Sequence, residues 1–135
     1  MALQFSVALR NAQLDQIETV VGTSAVLKLR TGAPPANVAT ADSGTVVATL
    51  NLPSDWMAAA ASGSKAKSGT WEDTSADAAG TIGHWRLYQS DGTTPHLQGT
   101  VTNTGGGADL TVQNVVVEAG QTITISSFSI SAGNG

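Results

Sequence analysis

Beyond Gly22 no segment of this chain runs far before Gly, Pro, Asn or Asp interrupts it, and the segments between are rich in Val, Ile and Thr. β-Branched side chains suit a pleated sheet and the interrupting residues suit turns, so this punctuation predicts an all-β domain over residues 23–135. Residues 25–31 form the first predicted strand, with Leu27 and Leu29 alternating against Lys28 and Arg30. Pro34 and Pro35 make 32–37 a loop, because proline removes ladder donors. Asp42-Ser43-Gly44 reads as a turn, and 45–52 as a strand with Val46, Ala48, Leu50 and Leu52 on one face, ended by Pro53. The alanine-rich stretch 54–62 reads as a loop or short strand. Strands follow at 65–71 and at 81–89, where Ile82, His84, Arg86 and Tyr88 alternate with Gly83, Trp85 and Leu87. Asp91-Gly92 is the strongest hairpin signal, returning through 96–102. Segments 110–118 and 122–131 complete the set, the last with a phase change near Ser126 and Ser127 that predicts a bulge. About eight short strands make a mainly β, antiparallel sandwich, most economically a jelly roll.

Residues 1–22 form an arm and a single α-helix. Ser6 caps a segment running through residues 7–21, and Gly22 stops it. At about 100° per residue, Val7, Leu14, Ile17 and Val21 share one stripe, and Leu9 and Val20 flank it. Asn11, Asp15, Gln16, Glu18 and Thr19 take the opposite, solvent side. The apolar sector is wider than one neighbour needs. The stripe is therefore expected to cover the sandwich, leaving Leu9 and Val20, with Leu3 and Phe5 ahead of them, for a second surface.

Six Lys and Arg against ten Asp and Glu give a net charge of −4, with no basic stripe to neutralise phosphates, so nucleic acid and anionic membrane are not expected partners. No apolar run approaches the roughly 20 residues that span a bilayer. Met1 to Leu14 lacks the charged start and apolar block of a signal peptide, which predicts a protein made in the cytoplasm. Without cysteine there is no disulfide, zinc-thiolate site or thiol nucleophile.

The remaining chemistry is thin. Ser62-Gly63-Ser64 lacks the flanks of a nucleophile elbow, so no enzyme and no catalytic residue is expected. His84 and His96 could face each other across the Asp91-Gly92 hairpin, but two imidazoles without further ligands are more simply two partly exposed strand residues. Glu72, Asp73 and Asp77 lack the alternation of a calcium loop and read as solvated. No metal or cofactor is expected. Trp71 and Trp85 suit a core, whereas Trp56, after Pro53-Ser54-Asp55, reads as an exposed anchor. A sugar platform would need convergent Asn, Asp or Gln, which the linear sequence does not place.

Several of these strings together resemble the small virion proteins of tailed bacteriophages. They are Val46-Val47-Ala48-Thr49-Leu50-Asn51-Leu52, then Asp77-Ala78-Ala79-Gly80-Thr81-Ile82-Gly83-His84-Trp85-Arg86-Leu87-Tyr88 with Ser90-Asp91-Gly92-Thr93-Thr94. The likeness continues through Leu97-Gln98-Gly99-Thr100-Val101, Ala108-Asp109-Leu110-Thr111-Val112, Ala119-Gly120-Gln121-Thr122-Ile123 and Ser127-Phe128-Ser129-Ile130, covering most of residues 7–131. The resemblance is strongest to capsid cement, or head decoration, proteins. It implies a jelly-roll domain on the outer capsid surface that locks major capsid protein subunits together, itself a homodimer or homotrimer. Related small domains occur in tails and fibres, so the alternative it implies is a binding domain for host-surface glycans. The family supplies no catalytic motif.

Overall fold

The computed structural model describes residues 3–132. It is mainly β with one N-terminal helix, α1 (Val7–Val21), as the residue pattern predicts. Ser6 accepts a hydrogen bond from the Leu9 amide at 3.1 Å, and Gly22 closes the helix at φ +87° by donating to the Glu18 carbonyl. Ten strands follow: β1 (Val26–Thr31), β2 (Val46–Asn51), β3 (Ser64–Ala66), β4 (Trp71–Asp73), β5 (Gly80–Tyr88), β6 (Pro95–Asn103), β7 (Leu110–Val112), β8 (Val116–Val117), β9 (Ile123–Ile125) and β10 (Ser129–Ser131). Two of the predicted late strands are split, the second at the expected phase change between β9 and β10.

The main sheet runs β2-β1-β5-β6-β7, and β8 pairs with the start of β5, so the sheet curls. Pairing is antiparallel except between β6 and β7, which lie parallel. The ladders β3–β10 and β4–β9 complete the sandwich. Between the layers lie Leu27, Leu29, Leu50, Trp56, Trp71 and Trp85, all buried. Phe128 joins the aromatics, with ring centroids 5.6 Å from Trp71 and, edge-on, 5.5 Å from Trp85.

The sheet's other face is not solvated. In β5, His84, Arg86 and Tyr88 are as buried as Trp85 and Leu87 on the core side, because the loop 32–45 lies across them. Arg86 donates to the Asn37, Val38 and Thr40 carbonyls, and Gln98 to that of Pro35. At one point this strap nearly touches the strand: a Cβ on Gly83 would collide with the Gly32 carbonyl oxygen, so only glycine fits there. The register also shifts beside Gly83, between the Arg30–His84 and Thr31–Ile82 pairs, which turns Ile82 into the core.

Candidate interaction surface on the N-terminal helix

The helix docks by part of its apolar stripe together with part of the side that reads as its solvent face. Asn11, Asp15 and Glu18 recur at helical spacing and meet the segment 58–65. Asn11 Oδ1 accepts from the Gly63 amide at 2.9 Å and Asp15 Oδ1 from the Ala60 amide at 2.9 Å. Lys65 is at the centre, 1% exposed, with Nζ 2.7 Å from Asp15 Oδ1, 2.6 Å from Glu18 Oε1 and 2.9 Å from the Ala58 carbonyl. These partners occupy all three ammonium donors. Burial alone would lower the Lys65 pKa, but the two carboxylates outweigh it and raise it. The Lys65 hydrogen bond in turn lowers that of Asp15.

Of the expected apolar stripe, Leu14 and Val21 are buried, Ile17 is half-buried against the core and Val7 is exposed. The expectation that Asn11, Asp15 and Glu18 face water is therefore corrected. Asp15 and Glu18 face a buried lysine that arrives from β3, far along the chain, and Asn11 meets the Gly63 amide beside it.

This docking leaves the opposite side free. Leu9 is 46% and Val20 54% exposed, and Leu3, in the arm, is 73% exposed. Phe5 is half-buried. Gln13 and Gln16 lie between Leu9 and Val20 on the same outer line. Beside this line the helix and β6 enclose a groove of about 370 Å³ lined by Gln13, Gln16, Ile17, Val20, His96 and Leu97.

Trp56 does not belong to this surface. It is fully buried, its indole Nε1 donates to the Gly22 carbonyl at 2.9 Å, and its ring lies 6.1 Å from that of Trp71. The exposed anchor predicted from its flanks is instead an inward peg that satisfies a carbonyl at the helix end.

Elsewhere, Asp42 on the strap is 3.0 Å from Arg30 and 2.6 Å from Arg86, and accepts from the Tyr88 hydroxyl at 2.7 Å. Burial would raise its pKa, but the Tyr88 and Arg86 hydrogen bonds and the two guanidinium charges outweigh that and lower it. Sequence reasoning missed this cluster. The available signal was that β1 and β5 each carry arginine where an outer face would be, opposite a loop with one carboxylate.

His84 pairs across the ladder with Thr100, not His96, and its Nδ1 lies 2.9 Å from the Gly32 carbonyl. Being fully buried, it is not the partly exposed residue expected. Asp73 and Asp77 are bonded to the Thr49 amide and hydroxyl, tying β4 and its following loop to β2. Among the described residues no group of three or more His, Cys, Asp or Glu could hold a metal ion. No helix there is long and apolar enough to cross a membrane.

The amides that the linear sequence could not bring together do converge. Asn103, Gln113, Asn114 and Gln121 line one groove of about 660 Å³ at the end of the sandwich. Comparison with protein-family models, curated proteins and solved structures finds no match.

Proposed function

We propose that this protein is a capsid cement. In this reading it is made in the host cytoplasm and binds the outer surface of a phage head, bridges major capsid protein subunits and associates with itself. The observation that carries the reading is the exposed aliphatic pair on the helix. Leu14 and Val21 already cover the core and the Lys65 ion pairs with Asp15 and Glu18 hold the helix in place, so Leu9 and Val20, 46% and 54% exposed, are not used to dock it. Exposed apolar side chains on a rigid element suit a protein contact. The resemblance of the strand and turn strings to decoration proteins indicates which assembly.

Co-sedimentation with heads that lack the protein tests this. Wild type should bind in numbers comparable to the capsid subunits and stay bound as salt rises through the physiological range, because apolar contact is little screened. Leu9→Ser/Val20→Ser, at exposed sites, should keep its unfolding free energy within about 0.5 kcal/mol of wild type but lose the particle. Unimpaired binding by that variant would refute the reading.

The amide-lined groove favours one alternative, a tail or fibre domain that recognises host-surface glycans, since amides suit the hydroxyl and carbonyl groups of a neutral sugar. That reading predicts few copies per particle and chemical-shift changes at Asn103 and Gln113 on titration with neutral oligosaccharides.

A further inference from the structure

We infer that the outer line of α1 is a dimer seam that pairs antiparallel with the same line on a second copy of this chain. The inference rests on the reading of that face as the interaction surface and names its occupant. Leu9, Gln13, Gln16 and Val20 are separated by four, three and four residues. That alternation keeps one row of side chains against a neighbouring helix. The row is also a palindrome. Inverting it about its midpoint, between Leu14 and Asp15, exchanges Leu9 with Val20 and Gln13 with Gln16, aliphatic for aliphatic and amide for amide. A two-fold interface requires this property, because if one residue meets another, the second must meet the first on the other side of the axis.

In that register Leu9 packs on Val20 of the second copy at both ends. Gln13 faces Gln16 of the second copy twice at the centre, where each primary amide supplies both a donor and an acceptor. Central polar pairs in an apolar seam fix its register.

Charge and shape point to the same occupant. The row carries no ionised group although the chain is at −4, so two copies meet here without the like-charge repulsion expected of carboxylate-bearing faces. Antiparallel order also opposes the two helix dipoles favourably. The groove beside Val20, walled by Ile17, Leu97 and His96, lies where Leu9 of the second copy arrives. His96 Nε2 is buried with no hydrogen-bond partner among the described residues.

The area sets the strength. A 15-residue helix is about 22 Å long and about 10 Å wide, giving about 200 Å² per copy. The two copies together bury about 400 Å² along the helices, below the ~1,200 Å² of specific stable complexes. The pair is therefore transient in dilute solution and becomes firm where copies are held side by side on a lattice.

Because the chain has no cysteine, introduced thiols report alone. Full-length Leu9→Cys and Val20→Cys are made separately, then oxidised mildly, alone and as an equal mixture. Antiparallel pairing sets position 9 against position 20, while like positions lie about 16 Å apart along the axis, beyond the ~7 Å reach of a disulfide. The mixture should form the mixed disulfide at least tenfold faster than either variant links to itself, and than a Thr104→Cys control mixed with Val20→Cys. Equal rates, or self-linking faster than mixed linking, overturn the seam. If trapping fails while Leu9→Ser/Val20→Ser still loses the particle, the capsid occupies the face, so the dimer falls and the cement reading stands. If trapping succeeds but the wild type never binds heads, the dimer stands and the cement reading falls.

Discussion

Lys65→Met removes the charge around which the helix is docked and keeps an unbranched apolar stem in its place. The wild-type ammonium is 1% exposed and holds Asp15, Glu18 and the Ala58 carbonyl at 2.6–2.9 Å. Its loss leaves two carboxylates and a carbonyl around an apolar sulfur. Removing one partner of a buried pair costs about 3–5 kcal/mol, mostly from the charge left behind. The Asp15 and Glu18 side chains are 46% and 25% exposed and can turn partly to water, which places the loss near the lower end, about 3 kcal/mol. For a domain of this size that corresponds to roughly 10 °C in Tm. Guanidinium unfolding followed by far-UV circular dichroism and by tryptophan fluorescence measures it, since Trp56 is tied to the helix end. The triple variant Lys65→Met/Asp15→Asn/Glu18→Gln should recover most of the loss, because no unpaired charge remains. The pH dependence has a fixed sign. A raised lysine pKa stabilises fully below the unfolded value of about 10.4, and that contribution disappears as pH rises through the higher folded value. Wild type should thus weaken above about pH 10.5 in a step that Lys65→Met lacks. A loss below about 1 kcal/mol, or a triple variant no more stable than the single one, would refute the reasoning.

Asp42 should make the strap acid-sensitive in a defined window: its lowered pKa gives stabilisation that is present above about 3.9 and lost as pH falls through the lower folded value. Amide exchange over residues 36–44 should be unchanged from pH 7 to 5, after correction for intrinsic rates, and faster below about pH 3.5, and early release at pH 5 would contradict it. Gly83→Ala should cost about 1–3 kcal/mol by driving a Cβ against the Gly32 carbonyl, with the His84 ring resonances shifting as their Gly32 contact opens; an unperturbed spectrum would show that the strap can move aside freely.

The strands and the helix ends were legible because they rest on local chemistry. Ser6 and Gly22 cap α1 as read, Asp91 accepts from the Thr93 and Thr94 amides in the expected turn, and the phase change after Ile125 separates β9 from β10. The exposure of Leu9 and Val20 was legible for the same reason: helical periodicity sets them to the side of the stripe that holds Leu14 and Val21. The polar part of the docking side was not legible. Asn11, Asp15 and Glu18 have the spacing of a solvent face, and only the arrival of Lys65, 50 residues beyond Asp15, makes that face interior. Trp56 fails in the same way, since its partner is the Gly22 carbonyl, 34 residues earlier. Asp42 is a loop acid until β1 and β5 are paired. In each case a polar group pairs across a long stretch of chain, and hydrophobic periodicity carries no information about such pairs. These pairs also determine what the surface offers. Three of the six cations, Arg30, Lys65 and Arg86, are buried and matched by Asp15, Glu18 and Asp42. The other three cations are set against seven carboxylates, so the net charge of −4 resides almost wholly outside that buried set. On a surface of that sign, a second copy of this chain meets least repulsion where neither charge is present, along Leu9, Gln13, Gln16 and Val20.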